Sequence, residues 1–316
     1  MSSVELLSAD PDELELRHDE LNALLEGLAK RRETEPALAA ASGLVDFWMR
    51  KGHLAEGRRH LDGLLAAGDA PAAARAAGLA AAGTLAFRQG DDTAARRFYE
   101  ESAEVARSAD DDAVLAWALG GLSRVALRAG ECARTRELAL EALSLASDEA
   151  SGLGARHMLA AAARCEGDYR RAEELYGETL DLSRRLGARG VEAGELLNLG
   201  FVALHLDETE RAVERFRQGL ELATELNDDY LTPYCLLGAG ASAAIRGDHA
   251  EAARLLSAAK AAFDATNAAI DPGSAEEFDS QVARARRELG EEFDAAWAEG
   301  RRLTVAEALA RTRATA

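Results

Sequence analysis

Apolar and small residues recur along this chain at helical spacing, in long segments separated by short polar breaks. Alanine and leucine fill most of the apolar positions, and only five prolines are present in 316 residues. Alanine loses no side-chain entropy in a helix and leucine loses little, whereas proline breaks a helix. The pattern therefore predicts an all-α protein without strands.

The polar breaks follow one another at an even pitch. Successive turns lie 38, 40, 37, 40 and 40 residues apart, at Gly52, Gly90, Gly130, Gly167, Asp207 and Gly247. An even pitch of this size is typical of a repeat array in which each repeat is two helices joined by a turn. Because each helix pair buries its apolar face against the next pair, such a chain needs no single central core.

The residues around the turns repeat in type as well as in spacing. A small residue stands five positions after a turn and a bulky one nine positions after it, as in Gly57 and Leu61, Ala95 and Tyr99, Ala172 and Tyr176, Ala212 and Phe216, and Ala252 and Leu256. Seven positions before a turn lie Gly83, Ser123, Ala160, Gly200 and Gly240. We predict that the small residues let helices approach closely and that the bulky ones fill the space between pairs. The pair around Gly130 departs, with Thr135 and Ala139 at these places, so weaker packing is expected there.

These residues resemble the tetratricopeptide repeat family, above all the pair Leu199-Gly200, the Gly-Asp turn, and the alanine and aromatic residue that follow it. The usual repeat of that family has 34 residues, so the longer pitch here indicates a long-helix variant. The resemblance covers roughly residues 33–265 and implies a right-handed α-solenoid of about six helix pairs with helical caps.

The two ends of the chain carry a narrower resemblance. The segments 18–25 and 52–59, the pair Phe47-Trp48, and the ending 293–304 followed by Glu307-Ala308 are similar to the C-terminal helical-repeat arm of actinobacterial LuxR-type and antibiotic-regulatory-protein-type ATPase (STAND) transcriptional regulators. This resemblance implies an arm that senses an inducer or holds a partner. The chain has no G-x-x-x-x-G-K-[ST] phosphate loop and no basic helix-turn-helix, so we expect either a detached arm or a stand-alone relative.

The clearest break in the chain is Asp271-Pro272-Gly273. We therefore predict an N-terminal capping helix over 1–32, a repeat array over 33–270 and a C-terminal helical cap over 271–316. Asp10-Pro11 is a favourable helix start, and Ser274 to Glu277 and Thr304 to Glu307 both match the capping box. We expect Trp297 to pack the C-terminal cap on the last helix pair.

The net charge, the length of the apolar runs and the start of the chain indicate which classes of partner to exclude. The net charge is −19, from 37 basic and 56 acidic residues, which argues against direct nucleic-acid binding. The apolar runs are too short to span a bilayer, and the acidic start of the chain lacks the features of a signal peptide. The dispersed cysteines Cys132, Cys165 and Cys235 favour reduced thiols. These observations predict a cytoplasmic protein without a membrane partner.

In tetratricopeptide arrays the first helix of each pair lines a concave groove, where partners bind. The turn register gives as groove candidates Arg50, Phe87, Arg88, Trp117, Arg124, Arg128, His157, Arg164, Phe201, His205 and Tyr234. Arg50, Arg88 and Arg128 lie two residues before three successive turns and would form a ladder suited to a carboxylate-bearing peptide tail or a small anion. Alternatively, these arginines simply end their helices, where a cation favours the helix dipole and pairs with nearby acids.

No catalytic or metal-binding pattern stands out. The six histidines form no H-E-x-x-H array, Asp110 to Asp112 lack the spacing of a calcium loop, and no G-x-S-x-G motif is present. We therefore predict a module that is not an enzyme, has no metal or cofactor, and binds a protein or peptide in transcriptional or signalling regulation. The alternatives are a stand-alone adaptor and a receptor for a small inducer held by Trp117, Phe201 and Tyr234. A homo-oligomer formed through residues 236–245 is also left open.

Overall fold

A computed structural model of the chain describes residues 11–266, Ile270 and 272–314. All regular secondary structure in these residues is helical, which confirms the prediction of an all-α protein. The chain divides into two compact units, Met1–Asp148 and Glu149–Ala316. The predicted boundaries of the caps and the array remain predictions.

The first unit contains two short leading helices and three helix pairs. The leading helices are α1 (Pro11–Leu16) and α2 (His18–Lys30). In the first pair the first helix is broken at Leu44 into two pieces. The helices of the three pairs are α3 (Thr34–Gly43) and α4 (Val45–Arg50) with α5 (Leu54–Ala67), α6 (Ala72–Arg88) with α7 (Asp92–Ser108), and α8 (Asp112–Arg128) with α9 (Cys132–Ser144).

The second unit also contains three helix pairs, followed by shorter helices. The pairs are α10 (Leu153–Cys165) with α11 (Tyr169–Leu186), α12 (Arg189–His205) with α13 (Thr209–Glu225), and α14 (Leu231–Ile245) with α15 (His249–Thr266). After them come α16 (Pro272–Leu289), a 3₁₀ turn, α17 (Phe293–Gly300) and α18 (Val305–Ala314). None of the helices described in either unit is long and apolar enough to cross a membrane.

The six turn residues predicted from the sequence all adopt the left-handed conformation. Their φ angles run from 59° at Asp207 to 85° at Gly247. Glycine takes this conformation without a steric penalty, which explains why five of the six are glycine. Where an aspartate follows the turn, it caps the second helix: Asp91 accepts a hydrogen bond from the Ala94 amide at 3.1 Å, and Asp168 accepts one from the Arg171 amide at 3.1 Å. The turn register is confirmed.

We expect Asp207→Gly to raise the free energy of unfolding of the second unit by about 1 kcal/mol. Asp207 has φ 59° and is exposed, and a left-handed residue with a Cβ costs about 1–2 kcal/mol, part of which glycine's chain entropy offsets. Urea unfolding measures the change. Asp207→Ala is the matched control, because it removes the carboxylate but retains the Cβ. Equal effects of the two substitutions would contradict this explanation.

Pairs of glycines hold the bulky residues of the second helices. A Cβ added at Gly83 would lie 2.9 Å from the Tyr99 ring, and one added at Gly121 would lie 2.2 Å from it. Phe216 lies in the same way between Gly200 and Gly238, where added Cβ atoms would be 2.5 and 2.3 Å from its ring. Each ring therefore fills the space between the first helix of its own pair and the first helix of the next pair. This arrangement confirms the predicted roles of the small and bulky positions.

The pair around Gly130 has a different interior. Thr135 and Ala139 are fully buried, and Ala139 offers a methyl group where the other pairs place leucine or an aromatic ring. The Ser123 hydroxyl on α8 donates to the Thr135 carbonyl oxygen at 2.9 Å, so a hydrogen bond joins the two helices here. The first unit ends after this pair.

The helices that follow α15 are fastened to it by backbone and side-chain contacts. The Ser257 hydroxyl donates to the Trp297 carbonyl oxygen at 2.7 Å, and the Trp297 ring stacks on Phe293 with 5.4 Å between the ring centroids. A Cβ at Gly300 would lie only 2.2 Å from the Arg254 carbonyl oxygen. The expected packing of Trp297 on the last pair is confirmed.

The predicted helix starts have different outcomes. At the start of α18, the Thr304 amide donates to the Glu307 carboxylate at 2.8 Å and the Glu307 amide donates to the Thr304 hydroxyl at 3.2 Å, so this capping box is confirmed. Ser274 instead lies inside α16, which begins at Pro272, and the capping box predicted there is wrong. Asp10 and Asp271 lie outside the described residues.

Candidate functional site

Arg128 is a buried cation among the candidates of the first unit. Its side chain is only 7% exposed, and its guanidinium lies 3.5 Å from the centre of the Phe87 ring. The same group donates to the Phe87 carbonyl oxygen at 2.9 Å and to the Asp92 carboxylate at 2.7 Å. These contacts join α8 to the end of α6 and the start of α7, so Arg128 is held in one place.

Thr84 connects three helices beside Arg128. Its hydroxyl oxygen accepts one hydrogen bond from the Tyr99 hydroxyl at 3.1 Å and another from the Trp117 indole nitrogen at 3.2 Å. Thr84 in turn donates to the Ala80 carbonyl oxygen at 2.9 Å. The indole of the half-buried Trp117 is therefore fixed by a polar contact, with the rest of its ring available to the surface.

The positive charges of three arginines act on the Tyr99 hydroxyl. Burial raises the pKa of Tyr99, while the positive charges of Arg124, Arg88 and Arg128 and the hydrogen bond to Thr84 act in the opposite direction. Arg124 has no carboxylate partner among the residues that the structure describes. We call Thr84, Arg88, Tyr99, Trp117, Arg124 and Arg128 the Tyr99 cluster. It is a cationic and aromatic surface in a strongly acidic chain.

The arginines of the proposed ladder have different partners. Arg50 donates to Asp46 within α4 at 2.8 Å, whereas Arg128 bonds to Asp92 on the next helix. Arg50, Arg88 and Arg128 each stand in the last turn of their helices, as the helix-end alternative expects. The ladder remains a prediction, and the structure adds Arg124 to the cations that lie near Arg88 and Arg128.

In the second unit His157 is paired with a carboxylate inside the protein. The His157 Nδ1 atom lies 2.8 Å from the Glu195 Oε1 atom, and the Glu195 side chain is fully buried. No hydrogen bond reaches the other carboxylate oxygen, Oε2, from the described part of the chain. The His157 side chain is 30% exposed, so the pair extends from the interior to the surface of α10.

Tyr176 and Arg164 lie beside this pair. The Tyr176 ring meets the His157 ring edge-on, with 5.7 Å between the centroids. Burial raises the pKa of Tyr176 to about 12; the positive charge of Arg164 opposes this shift and the negative charge of Glu195 adds to it. Arg164 is close to the Tyr176 hydroxyl but does not reach a good hydrogen-bond geometry, and this hydroxyl has no other partner among the described residues.

Some of the remaining candidate binding residues of the second unit pack against core residues. Tyr234 is 5% exposed and its ring meets Phe263 edge-on at 4.9 Å, while Phe201 meets Phe216 edge-on at 5.0 Å. His205 is exposed and stacks on Tyr169 at 4.3 Å. Tyr234 therefore belongs to the core of this unit, and His205 is the candidate with an accessible ring.

Glu195 was missed by the sequence analysis, although the register contains a signal for it. It stands twelve residues before its turn, and the other first helices carry at that position Ala40, Gly78, Ala118, Ala155 and Cys235. All five of these residues are buried and none is charged. A carboxylate at a position reserved for small apolar side chains is the irregularity that would have identified it.

The cysteines differ from one another in state. Cys235 is a free and fully buried thiol, and burial raises its pKa. Cys132 and Cys165 are not free thiols, so the prediction of reduced thiols is wrong for these two residues. Across the described ranges, no group of three or more histidine, cysteine, aspartate or glutamate side chains is arranged to hold a metal ion.

Comparisons with known proteins give the fold of the chain. No protein-family model matches it, and no curated protein is significantly similar to it in sequence. Its solved structural neighbours include a Rap protein complexed with competence and sporulation factor (TM-score 0.59, 15% identity, 96% of this chain and 100% of that one) and the apo form of RapI (0.51, 14%, 99% and 96%). Aspartyl phosphate phosphatase F from Bacillus subtilis is a third (0.53, 13%, 76% and 63%). At these identities the likeness concerns the fold alone, and the chain is an all-α solenoid protein built of tetratricopeptide-like helix pairs.

Proposed function

We propose that this chain is a non-catalytic protein-interaction or sensor module, which binds an acidic, carboxylate-bearing segment of a protein or peptide along the first helices of its pairs. The observation that carries the proposal is the Tyr99 cluster, where Thr84 holds Tyr99 and Trp117, Arg128 lies over Phe87, and the charges of three arginines act on one buried hydroxyl. Arginine presents several N–H donors in a planar fork that matches a carboxylate. The half-buried indole of Trp117 supplies apolar contact area next to these donors.

The arginines of the cluster have separate roles in this proposal. Arg128 is already neutralised by Asp92, so it shapes the surface and holds Phe87 in place. Arg124 has no carboxylate partner in the described part of the chain, and it is the cation that we expect to meet the ligand. With a net charge of −19, most of the protein surface repels an acidic segment. A local cationic cluster therefore also determines where on the protein the segment binds.

The biological setting is proposed from two resemblances. The end segments resemble the arm of LuxR-type ATPase regulators, and the Rap structure of the same fold is complexed with competence and sporulation factor. Both support a role in transcriptional or signalling regulation in the cytoplasm. The same chemistry also suits a stand-alone adaptor, or a receptor for a small anionic inducer.

Arg124→Gln is expected to weaken the binding of a fluorescein-labelled hexa-aspartate peptide about tenfold, the equivalent of one charge-assisted hydrogen bond. Fluorescence anisotropy titrations at fixed ionic strength measure this change. The matched control is Arg134→Gln on α9, an exposed arginine paired with Glu137 at 3.1 Å, which removes the same charge from the same unit. Its effect should stay within about twofold, because a screened surface charge contributes little.

Two outcomes would reject this function. Hexa-aspartate that binds no better than hexa-asparagine would show that carboxylates are not recognised. An equal loss of affinity in Arg124→Gln and Arg134→Gln would show a general attraction of charge instead of a site. Trp117 provides a local readout, because a ligand seated on the cluster changes its fluorescence.

A further inference from the structure

Burial of the Glu195 side chain costs folding free energy, so stability does not explain why a glutamate stands at this position. Its carboxylate is fully buried, and Oε2 has no hydrogen-bond partner among the described residues. Burying a polar group without a partner costs about 1–3 kcal/mol, and more when the group is charged. The other first helices avoid this cost with glycine, alanine or cysteine at the same register position. A local rule broken at one repeat points to function at that repeat.

The geometry shows what Glu195 does for its neighbour. A carboxylate accepts hydrogen bonds, so the Nδ1 atom of His157, 2.8 Å away, carries the proton of this contact. The tautomer and the orientation of the ring are thereby fixed, as in metal and catalytic sites where a carboxylate holds a histidine. The Nε2 atom on the opposite side of the ring is left for a partner outside the protein.

Arg164 lies on the same helix, seven residues after His157. Two helical turns place these side chains on one face of α10, about 10 Å apart along its axis. Arg164 has no carboxylate partner among the residues that the structure describes, and its charge acts on the Tyr176 hydroxyl and on His205. The charged and titratable groups around His157 and Arg164 are Arg156 on α10, Tyr176 on α11, and Glu195 and His205 on α12.

We propose that His157 and Arg164 form, within the second unit, a proton-linked docking point for carboxylates of an acidic segment, with Glu195 as the residue that positions His157. This inference rests on the proposed function and adds a pH dependence to it. Arg164 forms an ion pair with the ligand at any neutral pH. Because Nδ1 is engaged by Glu195, the His157 Nε2 atom donates a hydrogen bond only when the imidazole carries its second proton. Binding therefore becomes tighter as the pH falls.

The experiment is a hexa-aspartate anisotropy titration at pH 8 and at pH 6, where the peptide remains ionised. In the wild-type chain we expect the affinity to rise about tenfold between these values. His157→Gln should bind with nearly the same affinity at both. His205→Gln is the control for the other histidine on this surface, and it should retain the wild-type pH dependence.

Two substitutions separate positioning from packing. Glu195→Gln keeps an oxygen that accepts from His157 and should retain most of the pH dependence. Glu195→Ala introduces the residue found at this register position in α8 and α10, and it should abolish the pH dependence without lowering the thermal unfolding temperature. A merely structural glutamate would give the reverse, with a less stable protein and an unchanged pH profile.

The results distinguish this inference from the proposed function. A pH dependence that persists in His157→Gln, or that disappears in His205→Gln, would overturn the inference while the effect of Arg124→Gln still supports the function. Absence of hexa-aspartate binding at both pH values would overturn both. A pH dependence that needs His157, found together with an unchanged affinity in Arg124→Gln, would support the inference and reject the Tyr99 cluster as the binding surface.

Discussion

Gly121→Ala is expected to lower the free energy of unfolding of the first unit by about 3 kcal/mol, at the upper end of the usual cost of overpacking. The added methyl would lie 2.2 Å from the Tyr99 ring, a distance that no packed structure tolerates. The ring has no free direction in which to move, because Gly83 lies on its other side and its hydroxyl is bonded to Thr84. Urea unfolding followed by tryptophan fluorescence measures the loss.

The adjacent residue supplies the control for this prediction. Gly120 lies in the same helix, and a Cβ at this position has nothing within 4 Å. Gly120→Ala should therefore raise stability by up to about 1 kcal/mol, the difference in helix propensity between the two residues. Two variants one residue apart would then change stability in opposite directions. Similar effects of both would show that the glycines are tolerated instead of required.

Phe216→Ala is expected to cost the second unit about 4 kcal/mol, since removing a fully buried aromatic side chain leaves a cavity as well as losing apolar burial. Gly200 and Gly238 have no side chains that could fill the space, so the site collapses poorly. Thermal and urea unfolding both report this loss. Leu186→Ala is the control: Leu186 is 42% exposed at the end of α11, and its loss should change stability by about 0.5 kcal/mol or less. A cost below about 1 kcal/mol for Phe216→Ala would refute the packing described above.

The parts of the fold that could be predicted follow from rules that act within one helix pair. Left-handed turns favour glycine, and Asp207 occupies the fifth turn in the same conformation. The spacing of four residues between Ala212 and Phe216 places both on one helical face, and both are fully buried. The same rules apply to successive helix pairs along the chain, so the pattern in one pair supports the interpretation of the others.

The parts that could not be predicted depend on which side chains meet across helices. Arg128 and Asp92 are 36 residues apart, and His157 and Glu195 are 38 apart. The i, i+4 spacing within one helix predicts the pair of Asp46 and Arg50, but no spacing rule reveals whether an arginine at a helix end finds an acid on another helix, as Arg128 does. The turn register placed Tyr234 in a groove, but its ring meets Phe263 edge-on in the core. Each helix follows from its local sequence, whereas the side chains that meet across helices depend on the whole fold.

The glycine pairs around Tyr99 and Phe216 also limit how such a chain can be rearranged. Each ring requires a glycine nine residues before the next turn, at Gly121 or Gly238. The helix α12, which follows the Tyr176 pair, carries Asn198 at that position, so it is not an acceptable successor to the pair that carries Tyr99 or the pair that carries Phe216. A chimera that moves one helix pair must therefore carry the first helix of the following pair with it. The unit of exchange, in recombination or in design, is three helices.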